Sequence, residues 1–445
     1  MNKLLFQILF IGVFTALSLT NSLAQNWDAN KLDSFFNYVE AQNKGMGSIA
    51  LLEKGNTIYT NAFGYADVEN GNKATPSTLY RIGSITKTYT ATIIMLLVEE
   101  NKISLETKLS EYYPKVPNAS EITIAQMLRH RSGIFNILED SLYMDWRQTS
   151  ISKEEMLRKI ENTTPDFPPD STMKYSNSGY ILLGRIIEEI EDKSLEIVLK
   201  ERILEPNGLK NTFWSSNEQT KNLETKSYIK IKDWEEYPVT DWSIPGAAGV
   251  MMATPEDVAK FVFKLFNNEI VSESSLKEMK KTKNGFGFGL FEMPFYDEIV
   301  MGHTGGIDGF QSIVLHSAEH DLTICYMSNA VDIGRNKFLE AAYSIYSDVD
   351  YEFPSFAKSS YKPKAKHEKK YIGRYSAPKF PMKIDIFIQE GELNAQATGQ
   401  SNFPLEPFLK HLYKFTKASI EIEFDIKKGQ LILTQNGSPV VLTKE

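Results

Sequence analysis

The run Gly83-Ser84-Ile85-Thr86-Lys87-Thr88-Tyr89-Thr90-Ala91-Thr92-Ile93-Ile94-Met95-Leu96-Leu97-Val98 carries both a structural and a chemical message. Ile85, Tyr89, Ile93 and Leu96/Leu97 recur at helical spacing, and from Ala91 to Val98 the sequence is apolar almost all round, which describes a helix buried in a protein interior. Ser84 and Lys87 stand one turn apart at its start, so both are carried inside. Gly83 permits a close backbone approach just before them, and a helix N-terminus supplies oriented amides at Ser84. A buried lysine loses proton affinity and is able to help deprotonate a serine. The Ser-x-x-Lys spacing alone means little, since it recurs at Ser150/Lys153, Ser171/Lys174, Ser274/Lys277 and elsewhere. Taken alone, the first copy also reads as a helix cap with a surface lysine.

Outward from this helix the chain mixes periods. Tyr180, Leu183, Ile186, Ile187 and Ile190 repeat the helical spacing, whereas Ser48 to Leu52 and Leu322 to Met327 read as buried strands, so the body is α+β. With 445 residues, 42% hydrophobic and 24% charged, the chain is long enough for two or three domains and has the balance of a folded protein. A net charge of −8 gives no attraction to phosphate backbones, so nucleic acid is not an expected partner. Residues 1–24, with Lys3, an apolar stretch from Leu4 to Leu19 and Ser22-Leu23-Ala24, read as a secretory signal peptide, which predicts a secreted or periplasmic protein with no transmembrane segment after cleavage.

Residues 351–445 carry 15 Lys and Arg against 10 Asp and Glu, unlike the acidic chain before them. A lysine-rich, weakly apolar stretch predicts a basic linker over 351–366, separating a body of 25–350 from a domain of 367–445. There Ile420, Ile422, Phe424 and Ile426 alternate with Glu421, Glu423, Asp425 and Lys427, the pattern of a half-buried strand. The turns Glu390-Gly391, Lys428-Gly429 and Asn436-Gly437 complete an all-β small barrel, lipocalin-like, without a catalytic cluster.

Three other chemistries are tested by the same residues. His316-Ser317-Ala318-Glu319-His320 has the spacing of a zinc-peptidase helix, but strand-like sequence on either side makes His316 to Asp321 a hairpin turn, where residues four apart do not share a face. Gly302 to Gly309 lacks the spacings that bring amides onto phosphate. No serine lies in Gly-x-Ser-x-Gly. The one cysteine, Cys325, excludes an internal disulfide and a cysteine-based zinc site.

Two further motifs follow in order, Tyr175-Ser176-Asn177 before a helix and His303-Thr304-Gly305-Gly306 before strand-like sequence. With Ser84-x-x-Lys87 they resemble the serine β-lactamase and penicillin-binding superfamily, in particular its class C β-lactamase-like branch. The resemblance extends to Leu128 to Gly133, Glu205 to Leu209 and Gly246 to Thr254, and covers about residues 30 to 345. It implies an antiparallel sheet flanked by helices, a helical subdomain, and a site between them. Ser84 is then the acylated nucleophile, and Lys87 and Tyr175 manage its proton. Asn177, His303 and Thr304 contact substrate, the amides of Ser84 and Gly306 form an oxyanion hole, and neither metal nor other cofactor is required. A lysine cation beside Tyr175 is expected to lower its pKa.

The resemblance predicts a serine hydrolase acting on a small molecule or cell-wall peptide: a D-Ala-D-Ala carboxypeptidase, D-aminopeptidase or esterase. Class C-like β-lactamase activity and a sensor that acylates without turnover stay open as alternatives. The branch usually carries lysine where this chain has His303, which counts against antibiotic hydrolysis. Substrate, deacylation rate and oligomeric state are left open.

Overall fold

The computed structural model describes residues 27–214, 225–356, 361–378, 380–398, 402–415, 420–435 and 438–445. The expected leader, the Asn436-Gly437 turn and part of the lysine-rich stretch lie outside them. Six strands, β1 (Gly45–Glu53), β2 (Asn56–Phe63), β3 (Phe291–Phe295), β4 (Glu298–Ile307), β5 (Phe310–Ser317) and β6 (Leu322–Val331), form one antiparallel sheet in the order β3-β4-β5-β6-β1-β2. Side chains alternate along a strand. In β1, Ile49 and Leu51 therefore meet helices α1 (Ala29–Ala41) and α5 (Asn336–Tyr346) through Phe35, Phe36 and Phe338. Ala50 and Leu52 pack on the opposite side with helices α2 (Thr86–Glu99), α3 (Asn177–Glu191) and α4 (Pro255–Phe266), whose Val258, Phe261 and Val262 belong to the same core. Burial on both faces explains why these strands read as continuous apolar runs, each large side chain contributing about 1.5–3 kcal/mol.

Two local expectations are adjusted. His303 to Gly306 does precede a strand, β5, but itself also lies within β4, because pairing with β5 continues through Ile307↔Phe310. His316 is likewise still in β5, its ring nitrogen Nδ1 2.9 Å from Thr323 Oγ1, while His320 lies beyond the strand with Nε2 3.1 Å from Tyr343 Oη. The two histidines thus serve different neighbours.

The C-terminal residues form a nine-stranded antiparallel sheet, nearly closed into a barrel. Its first strand, Gly373–Ala377, pairs with its last, Ser438–Lys444, and its two end strands, Phe403–Pro404 and Glu406–Leu409, are almost contiguous in sequence. Ile422 and Phe424 point inward as the alternation predicts. Ile426 does not: the strand stops at Asp425, whose carboxylate accepts the amides of Lys427 and Lys428 and turns the chain, leaving Ile426 outside. Ahead of this sheet, Tyr351, Phe353 and Phe356 pack against the α1 core.

Candidate active site

Ser84 is positioned by two close backbone approaches. Arg81 pairs with Met252 at the end of a short strand, after which Gly83–Ile85 makes a single 3₁₀ turn leading into α2. Gly83 has φ +50°, and a Cβ there would come within 2.8 Å of the Gly306 amide nitrogen. At Gly305 a Cβ would meet the Ile82 carbonyl oxygen. These two glycines let β4 lie directly against the Ser84 segment, and the Ser84 amide stands at the start of the turn, where N–H groups lack helical partners.

Lys87 is fully buried on α2. Its Nζ lies 3.0 Å from Ser84 Oγ, 2.7 Å from Asn177 Oδ1 and 2.7 Å from the Ala248 carbonyl oxygen. Asn177, the first residue of α3, has its amide orientation set by Asn136, whose Oδ1 accepts from both the backbone N and Nδ2 of Asn177 at 3.1 Å. Asn136 was not singled out by the sequence.

Tyr175 completes the group. Its ring stacks on His130 with centroids 4.2 Å apart, and Lys87 Nζ lies 4.9 Å from its centroid. His130 Nδ1 accepts the Ser176 amide at 3.2 Å, which leaves the imidazole proton on Nε2. The expected lowering of the Tyr175 pKa does not occur. Burial pushes the phenol well above its ordinary value, and the Ser84 side chain counters this only in part. Burial also holds the Lys87 ammonium well below its usual range, so the amine's proton affinity falls while the phenol's rises.

His303 is 2% exposed, its Nδ1–H donating to the Thr304 carbonyl oxygen at 2.6 Å and its ring edge-on to Phe291. Burial, with smaller effects from Lys87 and Arg335, pushes its pKa down to about 3, so the imidazole is neutral. Thr304 is half-buried.

Ser84, Tyr175, Asn177 and Gly306 open together on a cleft of about 740 Å³; His303 and Thr304 are not among its lining residues. The far wall of the cleft is charged. Asp308, at the turn after β4, accepts from Arg147 Nη1 at 2.7 Å, from the Thr240 amide at 2.9 Å and from Thr240 Oγ1 at 2.8 Å, with Arg81 Nη1 at 3.6 Å. Arg81 stacks 3.2 Å from the centre of the Trp242 ring. The sequence analysis did not single out Arg147, Thr240 or Asp308; the Asp308-Gly309 hairpin turn was their one readable signal. Among the described residues no cluster of His, Cys, Asp or Glu is arranged to hold a metal, and no helix is long and apolar enough to cross a membrane.

A family model described as Beta-lactamase matches residues 35–343. The chain belongs to the beta-lactamase family. Penicillin-binding protein 4* of Bacillus subtilis (strain 168) is 24% identical over 446 residues, covering 92% of this chain and 96% of its own length. Teichoic acid D-alanine hydrolase of Staphylococcus aureus (strain NCTC 8325 / PS 47) is 26% identical over 276 residues, covering 59% of this chain and 66% of its own length. The crystal structure of D-amino acid amidase from Ochrobactrum anthropi SV3 superposes with TM-score 0.65 and 27% identity over 72% of this chain and 98% of the amidase. This member of the beta-lactamase family is a hydrolase, and its 740 Å³ cleft is built around the serine of the first motif.

Proposed function

We propose that this chain is a secreted serine hydrolase that cleaves amides or peptides of D-amino acids through an acyl-enzyme on Ser84. The observation that carries the reading is the set of three partners around Lys87. Asn177 Oδ1 and the Ala248 carbonyl oxygen can only accept, so Lys87, once deprotonated, gives them its two N–H bonds and turns its lone pair to Ser84 Oγ, 3.0 Å away. In acylation Ser84 Oγ bonds to the substrate carbonyl carbon while its proton moves to Lys87 Nζ. The Ser84 and Gly306 amides receive the oxyanion, a pair of donors worth a few kcal/mol, about 2.7–4 for each lost donor. Tyr175, kept protonated by burial, gives its proton to the leaving nitrogen as the C–N bond breaks, and Lys87 returns a proton to the phenolate. Water reverses these steps to release the acid. Asn177 and Gly306, which line the cleft, hold the substrate, with His303 and Thr304 behind them in β4.

The substrate class is supported by relatives named for D-alanine and D-amino acid amide hydrolysis and by the neutral His303, which offers no fixed cation. Residues 1–24 serve as the leader, 25–350 as the catalytic domain, 351–366 as a linker and 367–445 as a separate small domain. Steady-state release of D-alanine from a D-alanyl peptide, beyond one equivalent and absent in Ser84→Ala, is the expected result. A single burst followed by no turnover overturns the reading in favour of a sensor, and faster cleavage of a β-lactam overturns it in favour of a β-lactamase.

A further inference from the structure

The cleft is chemically graded along β4. Asp308, in the turn that ends β4, lies five positions beyond His303, about 16 Å at the rise of a strand. At the His303 end lie the proton-handling groups, since His303, His130 and Lys87 are near enough to perturb one another and Tyr175 stacks on His130. A leaving nitrogen must be reached by the Tyr175 proton, so the acyl part of the substrate extends the other way, toward Asp308. That end of the cleft has an apolar mouth. Leu138, Tyr143 and Met144 line the cleft from one segment, and Ile229 and Tyr237 from another.

Two observations mark this mouth as a binding surface. Met144, which lines the cleft, is 61% exposed, among the most exposed large apolar side chains described, and it continues the apolar surface of Leu138, Tyr143 and Ile229 in the cleft, as a ligand-binding groove does. The two segments are also held rigidly. Arg147 donates to the Pro238 carbonyl oxygen at 3.0 Å, lies 5.0 Å from the Tyr237 ring centre, and is fixed by Asp308. Tyr143 meets Trp146 edge-on, with its hydroxyl 3.4 Å from Thr240 Oγ1. A preformed apolar shelf binds without first being ordered.

We infer that this shelf is an acyl-side subsite that selects D-residues with a large apolar or aromatic side chain over D-alanine. The inference rests on the D-amino-acyl hydrolase reading and narrows its substrate class. The test compares kcat/KM for D-phenylalaninamide and D-alaninamide, in which the leaving group is ammonia and only the acyl side differs. Wild type favours the phenylalanine amide by about tenfold or more, in line with the gain from filling an apolar pocket, and Met144→Ser/Ile229→Ser lowers that ratio at least about fivefold. A ratio of one or less in wild type, or one unchanged in the double variant, overturns the subsite. If neither amide is cleaved, the hydrolase reading fails by itself, and binding to Ser84→Ala decides the subsite. N-acetyl-D-phenylalaninamide then binds more tightly than N-acetyl-D-alaninamide, whereas equal binding or none overturns the inference. Circular dichroism of the double variant separates a lost shelf from a lost fold.

Discussion

The partners that contact Lys87 are uncharged oxygens, whereas those that contact Asp308, in the same cleft, include two guanidiniums. Lys87 and His303 have lost proton affinity to burial, Tyr175 holds its proton more tightly for the same reason, and among the described residues no carboxylate contacts Lys87. Asp308 instead sits between Arg81 and Arg147, whose guanidiniums stay charged in any protein. Burial without counter-charge brings the proton affinities of serine, amine and phenol closer together, which is what a proton relay needs. Burial with counter-charge leaves nothing to exchange and fixes geometry, which is what a substrate wall needs.

The largest effect is expected on the neutral side. Ser84→Ala should abolish turnover and also covalent labelling by a fluorescent penicillin or fluorophosphonate, with the mass of the labelled peptide as the check. A label found on Ser274 would move the nucleophile away from the neutral cluster altogether. Tyr175→Phe keeps the ring on His130 and removes only the phenolic oxygen, so it should stay folded and lose about 10²- to 10⁴-fold in kcat. A loss below tenfold at unchanged stability would leave Lys87 as the sole proton carrier.

On the charged side the expected loss is in stability. All the groups that meet the Asp308 carboxylate are donors: Arg147 Nη1, the Thr240 amide, Thr240 Oγ1 and, further off, Arg81. In Asp308→Asn either orientation of the new amide turns an NH₂ toward a donor, and two buried arginines lose their counter-charge. Breaking a buried pair in this way costs about 3–5 kcal/mol, to be read from urea unfolding. A loss under 1 kcal/mol would mean that water already screens this wall.

The neutral cluster was legible in sequence because its parts sit in short motifs beside strong helical periodicity. Ser84, in the 3₁₀ turn, and Lys87, at the start of α2, are three residues apart, and Tyr175 comes just ahead of Asn177, the first residue of α3. The charged wall was not, since Arg81, Arg147, Thr240 and Asp308 come from four segments that only the folded chain brings together. The direction of the Tyr175 shift was misread for a related reason. A lysine near a tyrosine in sequence logic is a cation, but its charge depends on burial, which no local pattern reports. The C-terminal sheet was legible because alternation and Gly turns are local.

His303→Lys would place a second amine beside Lys87 and Arg335 at a position that is 2% exposed and already packed on Phe291. Were the site short of a cation, this change should improve substrates bearing a free carboxylate. The neutral character of the cluster predicts otherwise. The variant should melt several degrees lower, as an unpaired buried charge costs about 1–3 kcal/mol, and the kcat/KM ratio between carboxylate-bearing and neutral substrates should stay within about threefold of wild type. A tenfold rise in that ratio would show that neutrality at His303 limits the enzyme's substrates.

The smallest effect asks whether neutral burial belongs to the site or to the whole sheet, and His316 answers it from outside the cleft. It is buried against Phe266 and Thr323, and burial pushes its pKa down to about 4, with Lys280 acting in the same direction and Asp321 against it. In the unfolded chain the same imidazole titrates near 6.5. Above that value both states are neutral and His316 contributes nothing to the pH dependence. As pH falls from about 6.5 to 4 the unfolded state takes up a proton that the folded state refuses, so stability falls by up to about 1.4 kcal/mol per pH unit and then levels off. His316→Gln retains a hydrogen-bonding group for Thr323 and removes the titration. Urea unfolding at pH 7 and pH 5 should therefore show a smaller acid loss in the variant, by about 1–2 kcal/mol. An identical loss in both proteins would mean that His316 is protonated in the folded sheet, and that neutral burial is confined to the catalytic cluster.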